Sequence, residues 1–599
     1  MNRQKAWLWP FCAVLVLCSF LLPARSWADD DDPPARVARM NYTQGSVSFQ
    51  PGGEGDWVDA VPNRPLTTGD NLWTDKDARA ELHVGSTAIR LGSETSLTFL
   101  ELDDRVLQLR LAQGSALVRV HHLDDDDTVE VDTPNLAFIV QRTGEYRVDV
   151  NPDGKTTIVD VYGGRGEAIG GGNNYTIIAN QEASFTGDED QQLTYDIDTL
   201  PSPDDFTRWA FDCDRREDQS QSANYVSPEM TGYEDLDDNG DWSYDGNYGP
   251  VWMPISIPVG WAPYRFGHWV WVAPWGWTWV DDARWGFAPF HYGRWFLIRG
   301  RWAWVPGPAA VRPVYAPALV AFVGGPGGFH FSAFGGGAGV AWFPLGPGEV
   351  FVPAYHVSRV YVKQVNVTNT VVNVTKVASV YNTYTATKIN NTVANRIAYV
   401  NQTAATTAVS RDTFVNARPV ARNVVAVQPR EIAQAPVSHM SGVEPVRGSV
   451  MGAGRPATVA PPRAVVNRQV VAQHAPSQPP VPFAQRQDKL LVRPVAPGKQ
   501  PVTAWPEPEW QAPRPGSQAQ PETSQPTRAS EPNNQEARPQ PSSQPGWSHP
   551  QARPAPTVQP KSETQARDEE TKYRNWQAKP QPAKDQPEKS QQEKPAPHK

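Results

Sequence analysis

Between residues 239 and 306 apolar and polar positions alternate in short runs, and the apolar positions are filled mostly by tryptophan. Trp269 and Trp271, Trp277 and Trp279, and Trp302 and Trp304 are each separated by a single residue, the period of a β-strand. Asp245-Gly246, Pro274-Trp275-Gly276 and Arg299-Gly300 fall between these runs and supply the backbone angles of tight turns. The pattern predicts three β-hairpins, each with its tryptophans on one face. The same motif opens each copy, as Gly240-Asp241-Trp242, Gly267-His268-Trp269 and Gly293-Arg294-Trp295. A second anchor follows in Trp252-Met253-Pro254, Trp279-Val280-Asp281 and Trp304-Val305-Pro306. The linker Ala262-Pro263-Tyr264-Arg265-Phe266 aligns without gaps on Ala288-Pro289-Phe290-His291-Tyr292, so one unit has been duplicated. A hairpin is too small to bury its own indoles, so neighbouring copies must stack and share a core.

Residues 36–185 read as short strands with frequent turns. Leu107, Leu109 and Leu111 alternate with polar neighbours, as do Ala116, Val118 and Val120, and Tyr146, Val148 and Val150. Turn signals recur at Gly52-Gly53, Gly69-Asp70, Gln113-Gly114 and Pro152-Asp153-Gly154. The expected fold is mainly β, an all-β domain (sandwich or solenoid-like) over 36–185 and a tryptophan-rich hairpin-repeat domain over 231–350. Residues 186–230 form a polar connector with a short helix over 204–216. In residues 351–427, rich in Val, Thr and Asn, the alternation of Val360 with Val362 and Val365 with Val367 predicts edge strands that wrap the repeats or pair with another chain. The glycine-rich stretch 324–339 lacks the lysine and hydroxyl residue of a phosphate loop and reads as flexible. Residues 428–599 mix proline, glutamine and charge without periodicity and are expected to be a disordered tail.

Composition narrows the class. With 59 prolines and 45 glycines in 599 residues, much of the chain is barred from regular structure. The net charge of -9 and the absence of a basic, aromatic-studded face argue against nucleic acid as a partner. Residues 1–28 carry Arg3 and Lys5, an apolar run over 11–22 and Ser26-Trp27-Ala28, the pattern of a cleaved secretory signal. That run is too short for a membrane span, and no later stretch is long enough, so no transmembrane segment is expected in the mature chain, which is placed in the periplasm or cell envelope or is secreted. Leu15-Val16-Leu17-Cys18 offers a lipoprotein site as the alternative. Cys12 and Cys18 leave with the signal, so Cys213 remains alone, buried or paired between chains. The acidic runs 29–32 and 124–127 are expected to be a solvated leader and a loop.

Catalytic chemistry finds little support. The histidines show no metal-ligand spacing, and there is no nucleophile elbow or paired-carboxylate signature. Asp235, Asp237 and Asn239 with Gly240 imitate the start of a calcium loop, but Gly246 stands where the closing glutamate belongs, and an acidic turn is the expectation. No metal and no cofactor is expected. The remaining candidates for binding are Trp269, Trp271, Trp277, Trp279, Trp302 and Trp304 as flat stacking platforms, with His268, His291 and Arg294 as polar contacts. The same rings serve equally as a hydrophobic core.

Two resemblances add to this. Gly45-Ser46-Val47, Leu66-Thr67-Thr68-Gly69-Asp70, Ala80-Glu81-Leu82, Ile89-Arg90-Leu91, Thr133-Pro134-Asn135 and Gly144-Glu145-Tyr146-Arg147-Val148 follow the order of a FecR-type periplasmic domain, which this region resembles. The resemblance implies an exported all-β domain that binds proteins or senses at the envelope without catalytic residues. Signalling members carry a cytoplasmic segment and a membrane span before the domain, whereas here a signal sequence precedes it directly. The Ala-Pro-aromatic linkers and Trp342-Phe343-Pro344-Leu345-Gly346-Pro347-Gly348-Glu349 are similar to a tryptophan-rich domain of unknown function found beside FecR-type domains in exported bacterial proteins. The expectation is a non-enzymatic envelope interaction or scaffold protein with a protein partner. The alternatives are a glycan-binding protein that uses exposed tryptophans and a FecR-type envelope sensor.

Overall fold

The computed structural model describes residues 32–187, 193–324, 329–330, 338–385, 397–490 and 552–554. The expected signal sequence, most of the glycine-rich stretch and most of the chain beyond 490 lie outside the described residues.

The first domain is built from short antiparallel strands that run from Ala38–Gln44 to Thr194–Thr199. The long strand Val106–Val120 joins its two sheets. Its first half pairs with Thr95–Leu102 and, in parallel, with Thr128–Asp132. Its second half pairs with Thr87–Leu91 and Gly144–Val150. The buried positions change parity along it, from Leu107, Leu109 and Leu111 to Ala116, Val118 and Val120. Gly114, at φ +94°, makes the corner, because a Cβ there would lie 2.3 Å from the Thr95 hydroxyl. One core cluster of aliphatic residues fills the space between the sheets.

Gln108 and Arg110, on the opposite face of the same strand, are also buried. What covers them is the chain's own later segment. Arg110 Nη2 donates to the carbonyls of Val465 and Arg468 at 3.1 and 3.0 Å, and Gln108 Nε2 donates to that of His474 at 2.9 Å. Ser48 and Arg64 donate to the carbonyls of Val459 and Val450, and Glu54 accepts from the amide of Phe483. Residues 435–484 therefore form a strap across the first domain, which corrects the expectation of a disordered tail from 428 onward. Ile432, Val437, Val450, Val465, Val470 and Phe483 are buried without any period. Most of the polar contacts are made by the strap's backbone, so its side-chain pattern carries little trace of them.

Beneath the strap, Glu130 accepts from the amides of Gln473 and His474 at 2.6 and 3.2 Å, and the neighbouring Asp132 accepts from Gln108. Burial, reinforced by Glu130, holds the Asp132 carboxyl well above the usual carboxylate range. The folded state therefore binds a proton that the unfolded chain releases from about pH 4 upward, and stability declines as pH rises through that window. Asp132→Asn, which keeps the shape and the acceptor without the charge, is expected to raise the melting temperature at pH 8. The gain should shrink toward pH 4 in paired thermal melts; a variant less stable at both pH values would contradict it.

The connector contains helix Asp205–Asp218, capped by Asp204 accepting from the amide of Thr207, close to the expected 204–216. Three hairpins follow as expected: Gly240–Asp245 with Gly249–Pro254, Gly267–Val272 with Gly276–Asp281, and Arg294–Ile298 with Arg301–Val305. Tryptophans oppose each other across them as Trp242 and Trp252, Trp269 and Trp279, Trp271 and Trp277, and Trp295 and Trp304. The repeat's glycine has a steric cause. A Cβ on Gly240, Gly267 or Gly293 would sit 2.3, 2.7 or 2.3 Å from the indole of Trp252, Trp279 or Trp304, so each glycine leaves room for its hairpin's second ring. The first and third copies share a four-stranded sheet through Trp252 and Trp304, while the second forms its own ribbon. All three meet in one aromatic core.

Residues 351–427 depart from expectation. Instead of edge strands over 360–367 there are helices Arg359–Val367 and Val374–Thr385, and among the described residues of this stretch only Thr407–Ser410 pairs as a strand, against Ala338–Pro344. The buried face of the first helix is Tyr361, Val362, Val365 and Asn366, continued by Asn369 just beyond its end, a helical spacing disguised because asparagine occupies two of its places. Asn366 bonds both backbone groups of Phe351, and Asn369 donates to the Val314 carbonyl. The expected solvated leader is also modified, since Asp32 accepts from the amide and hydroxyl of Ser358 at the start of that helix. Among the described residues no helix is long and apolar enough to cross a membrane.

Candidate binding groove

The hairpins place the six candidate tryptophans in two environments. Trp269, Trp279, Trp302 and Trp304 are buried, and three of them are at most 1% exposed. They are core and not platforms: Trp279 Nε1 donates to Asp281 and Trp304 Nε1 to the Tyr292 carbonyl. Trp271 and Trp277 are half-buried on either side of the hairpin turn, whose own Trp275 is buried in the core. Their rings meet edge to face, 5.6 Å apart at 88°, and Trp277 also packs 4.4 Å from Phe414.

The three polar candidates prove internal. His291 is fully buried, with Nδ1 2.8 Å from the Ala316 carbonyl, and burial lowers its pKa to about 3. Arg294, also buried, donates to the carbonyls of Glu349 and Gly293 and to the Asn366 side chain. His268 is buried on the second hairpin, 3.8 Å from Asp282. All three are buried and offer nothing to a surface ligand; Arg294 is fully engaged by the core, whereas His291 Nε2 has no hydrogen-bond partner.

Trp271 and Trp277 form one wall of a groove of about 650 Å³, a size typical of ligand sites. Phe322 from strand Val320–Val323 lines it, with Tyr355 and His356 opposite and His439, Met440 and Val443 of the strap closing one side. The strap is held there by the groove itself, since Trp277 Nε1 donates to the Val443 carbonyl at 2.9 Å. Three buried polar atoms on the walls, Trp269 Nε1, Trp275 Nε1 and His439 Nδ1, have no hydrogen-bond partner. Burial lowers the pKa of His439 to about 4, so its imidazole is neutral at physiological pH. Among the described residues, Glu444 is the groove's one carboxylate, and no Asp, Asn, Gln, Lys or Arg lines it. Tyr355, His356, His439 and Met440 stand in stretches without periodicity, so no sequence signal joined them to the tryptophans.

A second cluster lies where the first domain, the connector and the repeats meet. His83 Nε2 is 3.3 Å from both Glu81 and Glu217, and its Nδ1 is 3.0 Å from Glu234. Arg90 reaches Glu81, Glu217 and Asp214 at 2.9, 2.7 and 2.6 Å, and Arg39 reaches Asp235 at 2.6 Å. The oxygens of Glu81 and Glu217 and a nitrogen of His83 gather within 4.8 Å, close enough for a metal. Arg90 already occupies both carboxylates, and the ring's other nitrogen is committed to Glu234, so a cation would have to displace a guanidinium. The cluster is an ion-pair hub. Burial opposes charge on His83, but Glu234 and Glu217 more than offset it, and its pKa stands well above the ordinary histidine value. Asp235 and Asp237, from the calcium-like sequence, are spent on Arg39 and on Ser222 and its amide. Cys213 is buried beside Arg216, and burial pushes its thiol up, so it is poorly placed to react.

Residues 233–349 match the profile of a family of unknown function (DUF6600), which covers the hairpin repeats and the sheet behind them. No curated protein matches the chain. Two crystal structures of a candidate anti-sigma factor from Parabacteroides distasonis are similar to 22% of the chain at 13% identity and a TM-score of 0.20. The chain spans 60% of the length of those structures.

Proposed function

We propose that this chain is an exported, non-catalytic interaction protein of the cell envelope that holds a protein partner through its β domains. The observation that carries this reading is the way both domains hold another segment of chain by its backbone, with Arg64 and Arg110 donating to carbonyls of the short helices Arg447–Met451 and Arg463–Val466 and Trp277 to that of Val443. A surface that grips main-chain groups suits a peptide ligand. The leader-like residues 1–28 and the resemblance of residues 36–185 to FecR-type domains support the envelope location. The glycan alternative is weakened, because four of the six candidate platforms are core and Glu444 is the only amide or carboxylate side chain among the described residues that line the groove. The test is to place photo-reactive p-benzoylphenylalanine at Ala354, an exposed residue on the groove. Irradiating intact cells should give a discrete adduct with one envelope protein. A folded chain that forms no adduct with any other protein would count against the proposal.

A further inference from the structure

Resting on the interaction reading, we infer that the groove beside the second hairpin binds an extended proline-containing peptide, with its pyrrolidine rings against Trp271 and Trp277. Three observations converge on that chemistry. The wall is a perpendicular pair of half-buried indoles, 5.6 Å apart, against which a small apolar ring can pack. The pair is fixed in place from behind: Gly276, at φ +87°, brings the hairpin turn so close to Trp271 that a Cβ there would lie 3.0 Å from the indole. Second, the groove already holds a main-chain carbonyl of the chain's own strap. Trp277 Nε1 donates to the carbonyl of Val443, and the residues that follow are Glu444 and Pro445. An indole N–H bonded to a main-chain carbonyl, with aromatic walls on either side, is how polyproline II ligands are generally held, because that conformation leaves its carbonyls free and loses little entropy on binding.

Third, the groove's spare polar atoms are few and of matching kind. Trp269, 1% exposed, has an indole N–H without a partner, a donor for an acceptor-only ligand. Proline lacks an amide hydrogen, so a proline-rich segment is rich in carbonyl acceptors and poor in donors. A sugar would bring several hydroxyl donors, which need carboxylates or amides that the lining, apart from Glu444, does not supply. An acidic peptide would find no Lys or Arg among the described lining residues. Met440, 38% exposed on the rim, adds an adaptable apolar contact.

The experiment uses the purified full-length mature chain and fluorescein-labelled decaproline, followed by anisotropy. A glycine-serine peptide of equal length and a chitin oligosaccharide are the comparisons. Decaproline is expected to bind, and the glycine-serine peptide is not. Trp271→Ala should weaken decaproline binding about tenfold or more while leaving the thermal melt within a few degrees of wild type, and Trp271→Tyr should restore much of it. Because the chain is itself proline-rich, the same chain with p-benzoylphenylalanine at Ala354 is irradiated alone and the crosslink mapped. A crosslink to the chain's own proline-rich residues supports the same recognition in cis. The inference is overturned if decaproline binds no better than the glycine-serine peptide and no such crosslink forms, if Trp271→Ala leaves the affinity unchanged, or if the oligosaccharide alone binds. Failure here together with a discrete envelope-protein adduct from Ala354 in cells would leave the interaction reading standing and remove only the peptide class.

Discussion

Arg90→Met is expected to destabilise the folded chain by about 3–5 kcal/mol, the range seen when one partner of a buried ionic cluster is removed. Arg90 is fully buried on strand Thr87–Leu91 and reaches Glu81 on the neighbouring strand and Asp214 and Glu217 on helix Asp205–Asp218. With Arg119 and Arg147 it ties the connector helix to the first domain, and of the three it is the most deeply buried. Methionine fills similar space and leaves those carboxylates facing one another, with His83 and Arg119 as the remaining cations near them. The sign of the pH dependence follows. Burial, with Glu81 and Glu234 adding to it, already pushes Glu217 up to about 7 against His83 and Arg90, so this carboxylate favours folding less as pH rises from its ordinary range toward 7. His83, with its folded pKa raised, contributes fully below the ordinary histidine value near 6.5 and loses that contribution as pH climbs through the folded value. Without the guanidinium the carboxylates rise further, and the deficit should be larger at pH 8 than at pH 5. Urea midpoints of both proteins at the two pH values decide it; an equal loss at both would show that Arg90 acts through packing and not charge.

Trp304→Ala should cost a comparable amount, about 3–5 kcal/mol, by opening a cavity at the centre of the repeat core. Trp304 is fully buried, opposes both Trp252 and Trp295, and donates from Nε1 to the Tyr292 carbonyl at 2.9 Å. It is the residue through which the first and third hairpins become one sheet. Gly293→Ala should be nearly as harmful, since its Cβ would meet Trp304 Nε1 at 2.3 Å on a backbone held at φ +70°. Thermal melts followed by tryptophan fluorescence should show both variants well below Trp271→Ala. If Trp304→Ala melts with Trp271→Ala, the distinction between core and groove tryptophans is wrong.

The hairpins were legible because two constraints coincide in every copy: strand alternation of the tryptophans and a glycine that must accommodate a ring. Sequence also confined the groove's aromatic wall to a set of six tryptophans. It could not separate Trp271 and Trp277 from Trp269 and Trp279, since all four share one face of one ribbon; the difference is proximity to the turn. The helix Arg359–Val367 was misread because Asn366 and Asn369 hold places where an apolar residue announces a helical face, and valine in the intervening positions imitates a strand. The ion-pair hub was not visible at all. Its members lie at 39, 81, 83, 90, 214, 217, 234 and 235, and no local pattern requires them to meet.

The strap has a consequence for the order in which the molecule is completed. Its bonds to Glu130 and Glu54 join residues 343 and 429 positions apart, so they close only after nearly the whole described chain has been made. Until then Gln108, Arg110 and their neighbours face water on a surface that the finished molecule covers. Contacts of such long range are slow to form, because the entropy of closing the intervening chain is lost before the contact is gained. The first domain and the hairpins can mature from local pairings, and the strap is then the last part to settle. A chain interrupted near 430 would lose the Val437–Ser438 edge of one sheet and uncover the polar face that the strap shields, which makes proteolysis within 435–484 a direct way to change what this protein presents to its surroundings.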